Sequence, residues 1–68
     1  MGKEISFIVY CMEIVKHAKR LSGKQVYALF EKYTLFSFIA DCYELLHIHG
    51  EKYILDDIDA RITEISAG

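Results

Sequence analysis

The sequence predicts an all-α fold, a compact bundle of about four short helices with a short extended connector before the last one. Three observations predict it. Apolar residues recur at helical spacing through most of the 68 residues. Proline is absent, and the two internal glycines, Gly23 and Gly50, fall where a helix should stop or the chain should turn. Residues 35–49, LFSFIADCYELLHIH, are apolar nearly all round, with Ser37, Asp41 and Glu44 as a single polar stripe at i, i+4 and i+7. A helix of that kind belongs in a core or at an interface.

The first helix is expected over residues 4–21. Glu13, Lys16, His17 and Arg20 recur at i, i+3, i+4 and i+7 and give it a solvent face. Ile5, Ile8, Met12 and Val15 run down one side, with Phe7, Cys11, Ile14 and Ala18 beside them. Residues 7–12 include no charged side chain, so this half should be enclosed on more sides than the other. Lys16, Lys19 and Arg20 suit the negative end of the helix dipole. Ser22 followed by Gln25 has capping-box spacing and starts a second helix over 23–33, with Val26, Leu29, Phe30 and Tyr33 as its buried stripe. Thr34 is placed to cap the third helix, and Gly50 to end it. Residues 51–55, EKYIL, contain good strand formers without a partner strand and read as the extended connector. Asp56 then caps a last helix, with Asp57 and Asp59 at the positive end of its dipole and Leu55, Ile58, Ile62 and Ile65 as its apolar stripe.

Sixty-eight residues make one domain, residues 1–68, and a chain this short buries only about 60% of its unfolded surface. With 53% hydrophobic residues it has more apolar side chains than so small a volume readily covers. Self-association, most simply a homodimer, or a protein partner is the expected outlet. A net charge of −2 gives no electrostatic case for nucleic acid or an anionic membrane. Cys11 and Cys42 lie in apolar stretches and read as buried, reduced thiols of a cytoplasmic protein. No secretory signal or transmembrane segment is read: the apolar run over 5–12 is too short to span a bilayer and includes Ser6.

The residues that carry chemistry form no recognisable site. His47 and His49 would point about 200° apart on a helix, and no cysteine or carboxylate stands at a spacing that would complete a tetrahedral metal site. Asp56, Asp57 and Asp59 lack the glycine and distant glutamate of a calcium loop. There is no phosphate-cradling glycine loop and no nucleophile beside a base, so no enzyme, cofactor or small-molecule ligand is expected. The chain instead reads as a non-catalytic protein-interaction module. Phe36, Ala40, Tyr43 and His47 line one side of the third helix; with Phe7, Tyr10 and Tyr53 they are the candidate interface residues. The alternative is a small helix-turn-helix regulator that binds DNA through the basic residues Lys16, Lys19, Arg20 and Lys24 around the first turn. Against it, the would-be recognition helix carries Asp41 and Glu44 and no Lys or Arg.

The segments ISFIVYCMEIVK, LSGKQVYALFEKY and ELLHIHGEKYILDDID, in that order, resemble a group of small bacterial proteins known as domain of unknown function 3791. The resemblance covers roughly residues 5–62. It rests on Ser22-Gly23, Val26, Leu29, Phe30, Tyr33, Leu46-His47, Gly50, Tyr53-Ile54 and Asp57-Ile58-Asp59, which are mainly packing and turn positions. Thr34 departs from it, standing where a glycine or similar turn residue is expected. The resemblance implies a bacterial cytosolic protein with no established activity. Members of the group are encoded beside other small proteins, one set of which resembles ADP-ribosyltransferases. It therefore implies an antitoxin-like or accessory partner of such a protein.

Overall fold

The computed structural model describes residues 2–67, and among these it holds five helices and no strand. They are α1 (Lys3–Lys19), α2 (Gly23–Lys32), α3 (Leu35–Asp41), α4 (Tyr43–Leu46) and α5 (Glu51–Ala67). The all-α bundle expected from the periodicity is present. Its accessible surface, 4652 Å², is close to the ~4,400 Å² expected of a compact protein of this mass. Any apolar group it exposes is therefore not the result of loose packing.

α1 stops where Arg20 turns into the left-handed region, at φ 55° and ψ 49°. Leu21 N–H then donates back to the Lys16 carbonyl at 2.9 Å, satisfying one of the carbonyls left open at the helix end. The chain restarts at once through the capping box. Gln25 N–H donates to Ser22 Oγ at 3.1 Å, and Ser22 N–H donates to Gln25 Oε1 at 2.8 Å. Both contacts were legible in the spacing of these two residues.

The turn from α2 into α3 differs from expectation. Thr34 does not cap α3 with its side chain; its hydroxyl donates to the Tyr33 carbonyl at 2.6 Å. Its backbone sits at φ 51° and ψ 37°, in the left-handed region. A β-branched residue is costly there, and this backbone is what makes a glycine the natural occupant. Thr34→Gly is expected to stabilise the chain by ~0.5–1 kcal/mol, read as a higher urea midpoint at unchanged slope. A lower midpoint would mean that the Thr34 hydroxyl contributes more than the strain removes.

The helix expected over 35–49 is shorter and interrupted. It kinks at Cys42, where φ is −100° and ψ 13°, and ends at Leu46. Leu35, Ile39 and Leu46 nevertheless stay on one buried line across the kink, and Ser37, Asp41 and Glu44 stay exposed. Gly50 does not end this helix in a left-handed turn, since no described glycine has positive φ. It instead opens α5, its carbonyl accepting the Ile54 N–H at 3.2 Å. The largest correction follows from this. Residues 51–55 are not an extended connector but the first turns of α5, so Asp56 lies inside a helix and caps nothing. Strand propensity loses here to burial: Ile54 and Ile58, four apart, both reach the core.

The core cluster is Cys11, Val15, Val26, Phe30, Leu35, Ile39, Leu46, Ile54 and Ile58, drawn from all five helices. α1 is the hub, packing against α2, α3 and α5. Two polar contacts hold α5 in place. Lys19 Nζ meets Asp59 Oδ1 at 2.9 Å, and Ser66 Oγ donates to Tyr33 Oη at 3.2 Å. Among the described residues no helix is long and apolar enough to cross a membrane.

Candidate functional site

Four of the seven candidate interface residues come together. Phe7 stands edge-on to Tyr43, ring centroids 5.4 Å apart, and lies 6.0 Å from Tyr10. Tyr43 stacks on His47 at 4.5 Å with nearly parallel planes. The rings thus run Tyr10, Phe7, Tyr43, His47 from the outer side of α1 across to the end of α4. His47 is held in this row by its own helix, Nδ1–H donating to the Tyr43 carbonyl at 2.8 Å. The other three lie elsewhere. Phe36 packs with Phe30 and Tyr27, Ala40 is half-buried, and Tyr53 stacks on His49 at 3.8 Å.

The least covered apolar groups are mostly others. On α1, Ile5, Val9 and Tyr10 remain 49%, 53% and 47% exposed. Leu45 on α4 and Ile48 just after it are 65% and 69% exposed. Within residues 7–12 only Val9 and Tyr10 are exposed; Cys11 is buried and Phe7, Ile8 and Met12 pack partly buried against the core, so this half is enclosed on more sides than the C-terminal half, where Ile14 and Val15 are buried but Glu13, His17, Ala18 and Lys19 are exposed.

The remaining chemistry is sparse. Among the described residues no three His, Cys, Asp or Glu side chains are grouped so that they could hold a metal ion. A shallow groove of about 180 Å³ lies between α3 and α5, lined by Phe38, Asp57, Ala60, Arg61 and Glu64. Small-molecule sites begin near 300 Å³. Its Arg61 lies over the Phe38 ring at 5.3 Å and reaches Glu64 at 3.4 Å through Nη1, while its Nε is buried without a hydrogen-bond partner. The Ser66 hydroxyl, donating to Tyr33 Oη, lowers the Tyr33 pKa below the usual phenol value.

Both cysteines are free thiols, Cys11 buried and Cys42 half-buried. Burial pushes the Cys11 thiol up to about 12. The folded chain therefore keeps this proton where an unfolded one loses it, near pH 8.5. The stabilising contribution is complete below that pH and is lost as the pH rises toward 12. At pH 8 a thiolate-directed reagent is expected to modify Cys42 first and to reach Cys11 only on unfolding. Equal rates at the two thiols, followed by mass spectrometry, would show that α1 opens readily.

A family model described as a protein of unknown function (DUF3791) matches residues 6–64. The chain belongs to this family. The match runs from the first turns of α1 into the last turns of α5, so every helix described above lies largely within it. No curated protein and no solved structure matches the chain. Membership in DUF3791 thus brings a shared sequence pattern and no activity.

Proposed function

We propose that this chain is a non-catalytic protein-interaction module that works by docking on another bacterial protein in the cytoplasm. Its class is the antitoxin-like or accessory half of a two-protein system, the other half resembling an ADP-ribosyltransferase. The observation that carries the reading is the set of large apolar side chains left uncovered by a well-packed bundle, above all Leu45 and Ile48 at the corner between α4 and α5. Isolated exposed apolar residues are ordinary, but adjacent ones this open on a small protein mark contact surface.

DNA binding is the weaker reading. Of the basic residues around the first turn, Lys19 is paired with Asp59 and Lys16 lies 4.0 Å from Glu13. α3, the would-be recognition helix, is only seven residues long.

The test is co-purification from the native host with the tagged chain, compared with Leu45→Asp and Ile48→Asp. A stoichiometric protein of ADP-ribosyltransferase type, reconstituted one-to-one from purified components and lost in both variants while their helical circular dichroism is unchanged, is the expected result. Recovery of the wild-type chain free of any such protein overturns the reading.

A further inference from the structure

One side of α3 and α4 faces solvent along its whole length. Leu35, Ile39 and Leu46 line the buried side. On the opposite side Asp41, Glu44, Leu45 and Ile48 recur at i, i+3, i+4 and i+7, and all four are exposed. Helical hydrogen bonds carry this register past the kink. Cys42 N–H donates to the Phe38 carbonyl at 3.0 Å, Leu46 N–H to the Cys42 carbonyl at 2.9 Å and His47 N–H to the Tyr43 carbonyl at 2.9 Å. The face thus sets two open apolar side chains beside two carboxylates. Neither carboxylate has an ion pair or a side-chain hydrogen bond among the described residues. We propose that this face docks in an apolar groove rimmed by Lys or Arg on another protein.

Charge selects this occupant. A second copy in a two-fold contact would bring the same carboxylates back against the face, and nucleic acid or an anionic membrane would bring phosphates. A basic rim meets both carboxylates with the opposite sign. No cation of the chain does so. Residues 35–49 contain no Lys or Arg. Arg61 reaches α3 only at Phe38 and is turned to Glu64, and Lys52 opens α5 beside Glu51. His47 and His49 lie on the Tyr43 and Tyr53 rings. Asp41 also stands in the last turn of α3, where the dipole is negative and no basic residue offsets it. A cation brought from outside would relieve that conflict. Shape decides the rest: Leu45 and Ile48, one helical turn apart and the most exposed apolar groups, are covered on several sides by a groove and on one by a flat surface.

Leu45 and Ile48 as contact groups rest on the interaction reading; the basic rim is the addition, and the two can fail separately. The probe is a synthetic amphipathic helix of leucine and lysine, about 14 residues or four turns long, with lysines on both sides of its leucine face. Its counterpart has glutamate in place of every lysine. Titrated into the isotope-labelled chain, the lysine peptide is expected to move the amide resonances of residues 41–49. Its binding should weaken at least about fivefold between ~50 mM and ~500 mM salt. The glutamate peptide should bind at least about tenfold more weakly. Leu45→Asp should abolish the shifts, and Asp41→Lys combined with Glu44→Lys should reverse the preference between the peptides. These positions are exposed, and Asp41→Lys favours the end of α3, so lost binding is not lost folding. Equal binding of the two peptides, binding of neither at about 1 mM, or shifts centred away from residues 41–49 overturns the proposal. A co-purifying protein lost in Leu45→Asp but kept in the double lysine variant overturns the basic rim and leaves the interaction reading standing. Peptide binding as expected, with no protein co-purifying, does the reverse.

Discussion

Phe30→Ala is expected to leave most of the chain unfolded at 25 °C. Phe30 is wholly enclosed, in the core cluster with residues of all five helices. Its ring stands edge-on to Phe36 at 5.4 Å, and Phe36 in turn meets Tyr27. Truncating a buried phenylalanine costs about 3–5 kcal/mol, the lost burial plus the cavity left behind. The single core of a chain of 68 residues rarely supplies more than about 3–5 kcal/mol of stability in all. The two quantities are of one size, so a core change that a larger domain would survive should abolish the cooperative thermal transition here. A folded Phe30→Ala protein with a midpoint only a few degrees lower would mean that the bundle collapses around the cavity, or that a tight dimer holds it together. Repeating the melt at tenfold dilution separates those two explanations.

What could be read in the sequence follows from how local the signal is. The Ser22 and Gln25 box closes within four residues and needs no other part of the chain, so its spacing was enough. The α2 stripe was equally readable, since Val26 and Phe30 on one helical face can be buried only together. The arrest of α1 at Arg20 was harder, because left-handed backbone was expected at glycines and instead falls on Arg20 and Thr34. Contacts between distant segments left no mark. Nothing in the order of residues pairs Lys19 with Asp59, or Ser66 with Tyr33. The interface candidates follow residue type, four of them along the helix expected over 35–49 and three, Phe7, Tyr10 and Tyr53, outside it. Four of them share a row of rings because the bundle brings α1 up to α4, a juxtaposition no periodicity contains. Ile5, Val9, Leu45 and Ile48 lie outside that set: periodicity marks them as apolar, and exposure is settled only by what packs against them.

The first turns of α5 give the sharpest test of that tertiary override. Ile54→Ala is expected to cost ~2–4 kcal/mol, while Tyr53→Ala should cost less than about 1 kcal/mol. Ile54 is 1% exposed and packs in the core beside Ile58, one helical turn on. Tyr53 is 48% exposed and touches chiefly the His49 ring at 3.8 Å, a contact at the surface. Alanine also favours the helix more than tyrosine does, which offsets part of the loss at that position. An extended segment would reverse this pattern. Strand geometry puts Tyr53 and Leu55 on one face and Ile54 on the other, so the two outer residues would carry the cost and the middle one would be cheap. Urea unfolding of Ile54→Ala, Tyr53→Ala and Leu55→Ala therefore reads the local conformation from energetics alone. In the helix Leu55 is half-buried against the core, so its truncation should fall between the other two. An order of Ile54, Leu55, Tyr53 from most to least costly requires α5 to begin before these residues. Tyr53 and Leu55 both outranking Ile54 would return them to an extended connector and remove Ile54 from the core.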